Sequence, residues 1–259
     1  RELDCWGCQL TDLDLSGCDE LTHLFCYRNY LKSLNLSGCE GLEMLSCSEN
    51  ELTSLNLGDC AYLTYLDCED NKLEALDLDN NPALVDLYCG GNLLTELEVS
   101  DHESLQSLTA MNNSRLETLS CNFCALEYLN VTGCTALTDL SCEDNQLDAL
   151  DVSGCTALIR LNCCFNKLTS LDISKNKALR DFDCSGNNIA TLNISACPNL
   201  VNAYTNGEKT EGVYYDETYW LYRTDDCWLY VDPFTVVVSP PPTPVLTGAT
   251  ASAGQIKVT

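Results

Sequence analysis

Thiols and carboxylates are the reactive groups this sequence offers in quantity. Nineteen cysteines include two Cys-x-x-Cys pairs, Cys5/Cys8 and Cys121/Cys124, the spacing of zinc ligands and redox dithiols. Neither pair opens a predicted helix, so a lowered thiol pKa and redox work are not expected. Asp67, Glu69 and Asp70 could approach a calcium ion, but no Gly-containing ligand loop accompanies them; a solvated acidic face is expected instead. Two histidines, no Ser-His-Asp set, no phosphate-cradling Gly-rich loop and no His-x-x-x-His leave no catalytic constellation. The reading is therefore not an enzyme, with no cofactor and no metal. An odd number of cysteines cannot pair completely, and by composition alone 19 of them suggest a secreted disulfide scaffold. Their placement says otherwise.

The elements that carry them repeat every 21 residues. Leu21-x-x-Leu24-x-Cys26-x-x-Asn29-x-Leu31 recurs from Leu42, from Leu63 and, through Asn92, from Leu84. It resumes at Leu137 and Leu158. A fixed period of this kind means a solenoid. Each unit has a second half, such as Leu31-x-x-Leu34-x-Leu36-Ser37-Gly38-Cys39, which sends apolar residues inward from the opposite wall. Leu24 and Cys26 alternate inward around an outward Phe25, as in a short strand paired with the next turn. Asn29, Asn50 and Asn71 are expected to bond the backbone of a bend and stack as an internal amide ladder. Nine cysteines (5, 26, 47, 68, 89, 121, 142, 163, 184) fall at the strand position and six (18, 39, 60, 134, 155, 197) at the Ser-Gly-Cys position. Equivalent thiols then lie ~4.8 Å apart with parallel side chains. A disulfide needs converging Cβ atoms, so reduced core thiols are expected. Cys8 and Cys124 take the ladder-Asn position, and their pairs, about five turns or roughly 24 Å apart, cannot share one zinc ion.

One break interrupts the frame. Cys89 to Cys121 spans 32 residues, a repeat and a half, with His102 and Ala110 where cysteines would stand. The expectation is that about 11 residues within 100–118 bulge from one turn and distort the stack.

The unit Leu66-Asp67-Cys68-Glu69-Asp70-Asn71-Lys72-Leu73 resembles the cysteine-ladder branch of the bacterial internalin-type leucine-rich repeats. The resemblance implies a right-handed curved solenoid with short parallel strands on the concave face and a mostly irregular convex side. It also implies an extracellular or bacterial-surface location and a protein or glycan ligand. The repeat covers residues 1–201, with an irregular turn near 100–120. Leucines then give way to alternating aromatics, predicting a small antiparallel β cap over 202–238 that seals the last turn. A stiff Pro-rich linker is expected at 239–244, and 245–259 resembles the start of a fibronectin type III domain.

Thirteen basic against 39 acidic residues leave a net charge of −26, which opposes nucleic-acid and anionic-membrane binding; no apolar run is long enough to span a membrane. A monomer is expected. Residues flanking the inward Leu and Cys face the concave side, and the aromatics gathered there mark the binding candidate: Trp6, His23, Phe25, Tyr27, Arg28, Tyr65, Tyr88, Phe123 and Phe165. The function expected is a non-catalytic extracellular binding module; the alternative is a structural spacer, or an arm of a larger surface protein.

Overall fold

A leucine every ten or eleven residues makes the chain turn inward twice per repeat, and the resulting coil has two walls. In the computed structural model, which describes residues 1–214, 217–239, 250–252 and 255–257, Leu24 and Cys26 point in from the first wall and Leu34 and Leu36 from the second. None of these four is more than 8% exposed. On the first wall Glu2–Asp4, His23–Phe25, Met44–Ser46, Tyr65–Asp67, Asp86–Tyr88, Ser107–Thr109 and Tyr128–Asn130 pair in parallel in that order. Register sets Leu24, Leu45, Leu66, Leu87 and Leu108 side by side. On the second wall Glu96–Glu98, Thr118–Ser120, Asp139–Ser141, Arg160–Asn162 and Asp181–Asp183 do the same. The chain is a leucine-rich-repeat solenoid.

Two residues after each inward strand residue the backbone turns left-handed. Gly7, Arg28, Glu49, Asp70 and Gly91 (φ 65, 53, 52, 50, 64) do so on the first wall, and Phe123, Asp144, Phe165 and Gly186 (φ 53, 52, 50, 65) on the second. That conformation costs a non-glycine residue roughly 1–2 kcal/mol. The next residue holds the bend in place. Asn50 Nδ2 donates to the carbonyls of Cys26 (3.0 Å), Cys47 (3.0 Å) and Ser48 (3.1 Å), while its Oδ1 accepts from the Leu31 amide at 3.0 Å. The amide thereby stitches its turn to the one before, and Asn29, Asn71, Asn92, Asn145, Asn166 and Asn187 repeat the arrangement.

The expected bulge is corrected. Leu105, Leu108, Ala110, Asn113 and Leu116 are all 0% exposed, so the extra segment lies inside the stack. From Leu3 to Leu97 the arc from first wall to second is ten residues and the return eleven, but Leu97 to Leu108 and Leu108 to Leu119 are both eleven. An eleven-residue arc carries its own inward set, here Ala110, Asn113 and Leu116, and can complete half a turn without leaving the core. Afterwards the Leu-x-Cys-x-x-Asn arc starts from the second wall. The strand-position thiols therefore occupy the first wall up to Cys89 and the second wall from Cys121. Asn113 sits at the join: its Nδ2 donates to Cys89 O (3.1 Å) and Ala110 O (2.9 Å), and its Oδ1 accepts from Leu94 N (3.3 Å).

The end of the repeat and the cap differ from expectation in one element: Pro198–Asn206, which straddles the expected boundary at 201/202, is an α-helix with proline in its first turn and with Leu200 and Ala203 buried. Glu208–Tyr214 and Glu217–Thr224 form an antiparallel hairpin. Cys227–Val231 then pairs antiparallel to the hairpin's second strand but parallel to Asp181–Asp183, placing Leu229 beside Phe182. Val236–Val238 pairs parallel to Thr191–Asn193. After the helix and hairpin, the chain thus rejoins the coil for one more turn and closes both walls. Most of the expected linker, 240–244, lies outside the described residues. So does much of the fibronectin-like segment, within which Thr250–Ser252 and Gln255–Lys257 pair antiparallel.

Candidate functional site

Parallel stacking at ~4.8 Å aligns the outward side chains of successive turns into columns. At the start of the first wall these columns are aromatic. Trp6, half exposed, stacks on Tyr27 with centroids 5.5 Å apart and rings 3° from parallel. His23 lies 6.5 Å from Phe25, and its Nδ1 is 2.9 Å from the Thr22 hydroxyl. Three turns along, Tyr65 and Tyr88 are 5.6 Å apart. Arg28 is tied to Glu49 at 2.8 Å.

Carboxylates interleave with these rings. Asp67 accepts hydrogen bonds from the hydroxyls of Ser46 (2.9 Å) and Ser48 (2.7 Å). Burial, then Asp67 and Asp70, raises Glu69; burial, then Asp67, pushes the Tyr65 hydroxyl up to about 12. Among the described residues no group of three or more His, Cys, Asp or Glu could hold a metal ion.

Seven of the nine expected site residues, Trp6 through Tyr88, therefore share one face. Phe123 and Phe165 do not: both sit at left-handed bends that follow strands of the second wall. The reason is the exchange of walls, which moves every later strand-flanking residue to the other side. Phe165 also covers a glycine, since a Cβ on Gly186 would come within 2.6 Å of its ring.

The second wall has a feature the sequence did not single out. A concavity of about 450 Å³ runs across its strands, lined among others by Asp139, Arg160, Asn162, Asp181, Asp183 and Tyr230. Arg160 is ion-paired with Asp139. Asn162 Nδ2 donates to Glu143 at 2.8 Å. Burial raises both Asp181 and Asp183, although Arg160 opposes the shift at Asp181 and the Ser185 amide and hydroxyl (2.9 and 2.6 Å) oppose it at Asp183. Tyr230 contacts Tyr219 at 5.5 Å and closes one end. Its signal was the column Thr118, Asp139, Arg160, Asp181, readable only once the second phase is aligned. A larger cleft of about 630 Å³ lies where residues 232–235 close on 186–190; there Asp232 accepts the Gly186 amide at 2.7 Å, which is cap closure.

All 19 cysteines are unpaired thiols. Burial is the main cause that lifts Cys26, Cys142 and Cys155 to about 12 from the ordinary 9.0, and Cys47, Cys68, Cys163 and Cys184 well above it. Such thiols are poor nucleophiles. The two Cys-x-x-Cys pairs lie on opposite walls, and Cys124 uses its Sγ to donate to Val99 O at 3.1 Å.

No protein-family model and no curated protein matches the sequence significantly. Solved structures to which the fold is similar include the functional domain of InlJ from Listeria monocytogenes, described as including a cysteine ladder, at 30% identity over 76% of this chain and 51% of that one, with TM-score 0.38. A leucine-rich-repeat protein of Leptospira interrogans matches at 22% identity over 66% and 50%, TM-score 0.38. The internalin InlF of Listeria monocytogenes matches at 16% over 69% and 69%, TM-score 0.34. The chain spans about half the length of the first two.

Proposed function

We propose that the chain is a non-catalytic, extracellular binding module that holds a protein ligand, or a glycan, on the aromatic face of its first wall. The observation that carries this reading is the gathering of Trp6, His23, Phe25, Tyr27, Tyr65 and Tyr88 on one strand face, with one ring pair stacked and two more in tilted contact. Trp6 is exposed and the other rings are half-buried; aromatics so placed can bury further area at low entropic cost and dominate contact energetics. Burial keeps most thiols protonated and slow to oxidise, which suits an oxidising compartment. Among the described residues no helix is long and apolar enough to cross a membrane.

Arrays of proteins and of glycans, probed with the chain and with a Phe25→Ala/Tyr27→Ala variant, test the proposal and separate the two ligand classes. A signal that falls at least tenfold in the variant supports it. No signal, or one the variant leaves unchanged, leaves the spacer reading.

A further inference from the structure

The groove on the second wall lies outside the aromatic face and offers different chemistry. Asp181 and Asp183 flank Phe182 on one strand, so both carboxylates face out on the same side, roughly 6.6 Å apart along the strand. Glu143 and Asp232 add negative charge beside Asp183, while the cations facing Asp181 are Arg160 and Arg180. Arg160 lies in the groove as part of its lining, paired with Asp139. The groove therefore already seats one guanidinium from its own chain. At the end away from Thr118, Tyr230 presents a ring next to Asp183, because register sets the two side by side.

The geometry points to this groove as a second binding site, on the wall opposite the aromatic face, for a basic peptide segment whose arginine side chain lies between Asp181, Asp183 and the Tyr230 ring. A guanidinium meets two carboxylates with a planar fork and stacks on an aromatic face. Its aliphatic stem would lie over the strand backbone at Leu119, Leu140 and Leu161, whose side chains point into the core. From Thr118 to Tyr230 the groove crosses five strands, roughly 19 Å, enough for an extended tripeptide at ~3.4 Å per residue. Burial of Asp181 and Asp183, which raises both, leaves charge that an added cation would neutralise. The net charge of −26 steers basic partners to the whole molecule, so the proposal turns on where they dock.

The test uses the whole chain and a blocked tri-arginine peptide at physiological ionic strength, read by amide NMR shift mapping and titration calorimetry. Shifts gathered on 139–143, 160–164, 181–185 and 228–232 are expected. Asp181→Asn, which removes a carboxylate that makes no hydrogen bond to a described residue, should weaken binding about tenfold with thermal stability unchanged. Asp67→Asn on the first wall should change it less than twofold. Arg160→Gln, by removing the internal competitor, should tighten binding severalfold, and Arg28→Gln should not. Shifts spread over the first-wall carboxylates, equal effects from the paired variants, or no binding at millimolar peptide would overturn the proposal. None of these outcomes depends on the aromatic face.

Discussion

Residues 3–97 and 119–197 are built from one unit and differ in which wall that unit starts from. The first segment puts Leu-x-Cys strands and the Asn ladder on the first wall, and the second puts them on the opposite one. Each opens with a cysteine at the Asn position, Cys8 and Cys124. The core is indifferent to the exchange because both walls contribute buried leucines, none more than 9% exposed from Leu24 to Leu171. The surface is not, and an aromatic face and a polar groove end up back to back. Repetition therefore fixes the interior, while the phase of repetition decides what faces a ligand.

If the segments are equivalent, matched substitutions must cost the same in each. The largest effect is expected from the amide ladder. Asn50→Ala and Asn166→Ala each leave a buried N–H and several carbonyls without partners. At roughly 1–3 kcal/mol per group, each should lose about 4 kcal/mol in urea unfolding. Unequal losses would break the equivalence.

Alkali should act next, and on both segments at once. Above pH 9 the unfolded thiols ionise while the folded ones, with pKa raised by burial, do not. The unfolded state then binds fewer protons, and stability is lost as pH rises through 9 toward about 12. The loss is about 1.4 kcal/mol per buried thiol per pH unit. A steep fall in Tm between pH 9 and 10.5 checks it. A flat profile would mean the thiols are not buried as a set.

Smaller effects separate the two thiol positions. The strand position is apolar: only Ala110 replaces cysteine there, fully buried. Cys68→Ser should therefore cost about 2 kcal/mol by burying a hydroxyl. The Ser-Gly-Cys position already accepts polar groups. Asn81 donates to Leu57 O and Cys60 O (3.1 and 2.9 Å), and His102 places its two ring nitrogens 3.1 and 3.3 Å from the carbonyls of Val99 and Leu78. Cys60→Ser and His102→Asn should each stay within about 1 kcal/mol. Smallest of all should be Asn176→Cys, because the Oδ1 of Asn176 is buried without a partner and its removal offsets the lost donor. Equal costs at the two positions, by thermal unfolding, would erase the distinction.

Much of this was legible in the sequence. Period, inward leucines, thiol rows and amide ladder all follow from spacing, since a stacked coil repeats each environment turn by turn. The phase exchange was visible as the 32-residue step from Cys89 to Cys121, yet it read as a bulge. A 21-residue period looks the same whichever wall carries the strands, and only the two consecutive eleven-residue arcs distinguish the cases. The same exchange divides the nine candidate residues: Trp6 to Tyr88 fall together, whereas Phe123 and Phe165, at the repeat position of Arg28, lie on the other wall. The helix at Pro198–Asn206 was missed because the aromatics after it dominated the pattern. Its own signal was a proline at the first turn followed by the inward pair Leu200 and Ala203.

The exchange of walls is tested most directly by inter-strand NOEs from Leu119 in the isotope-labelled chain. If the extra arc completes half a turn, Leu119 contacts Leu97 and Leu140, its register partners on the second wall, and Leu108 contacts Leu87 and Leu129 on the first. If the segment instead looped out, Leu119 would contact Leu87, and the two faces would be one.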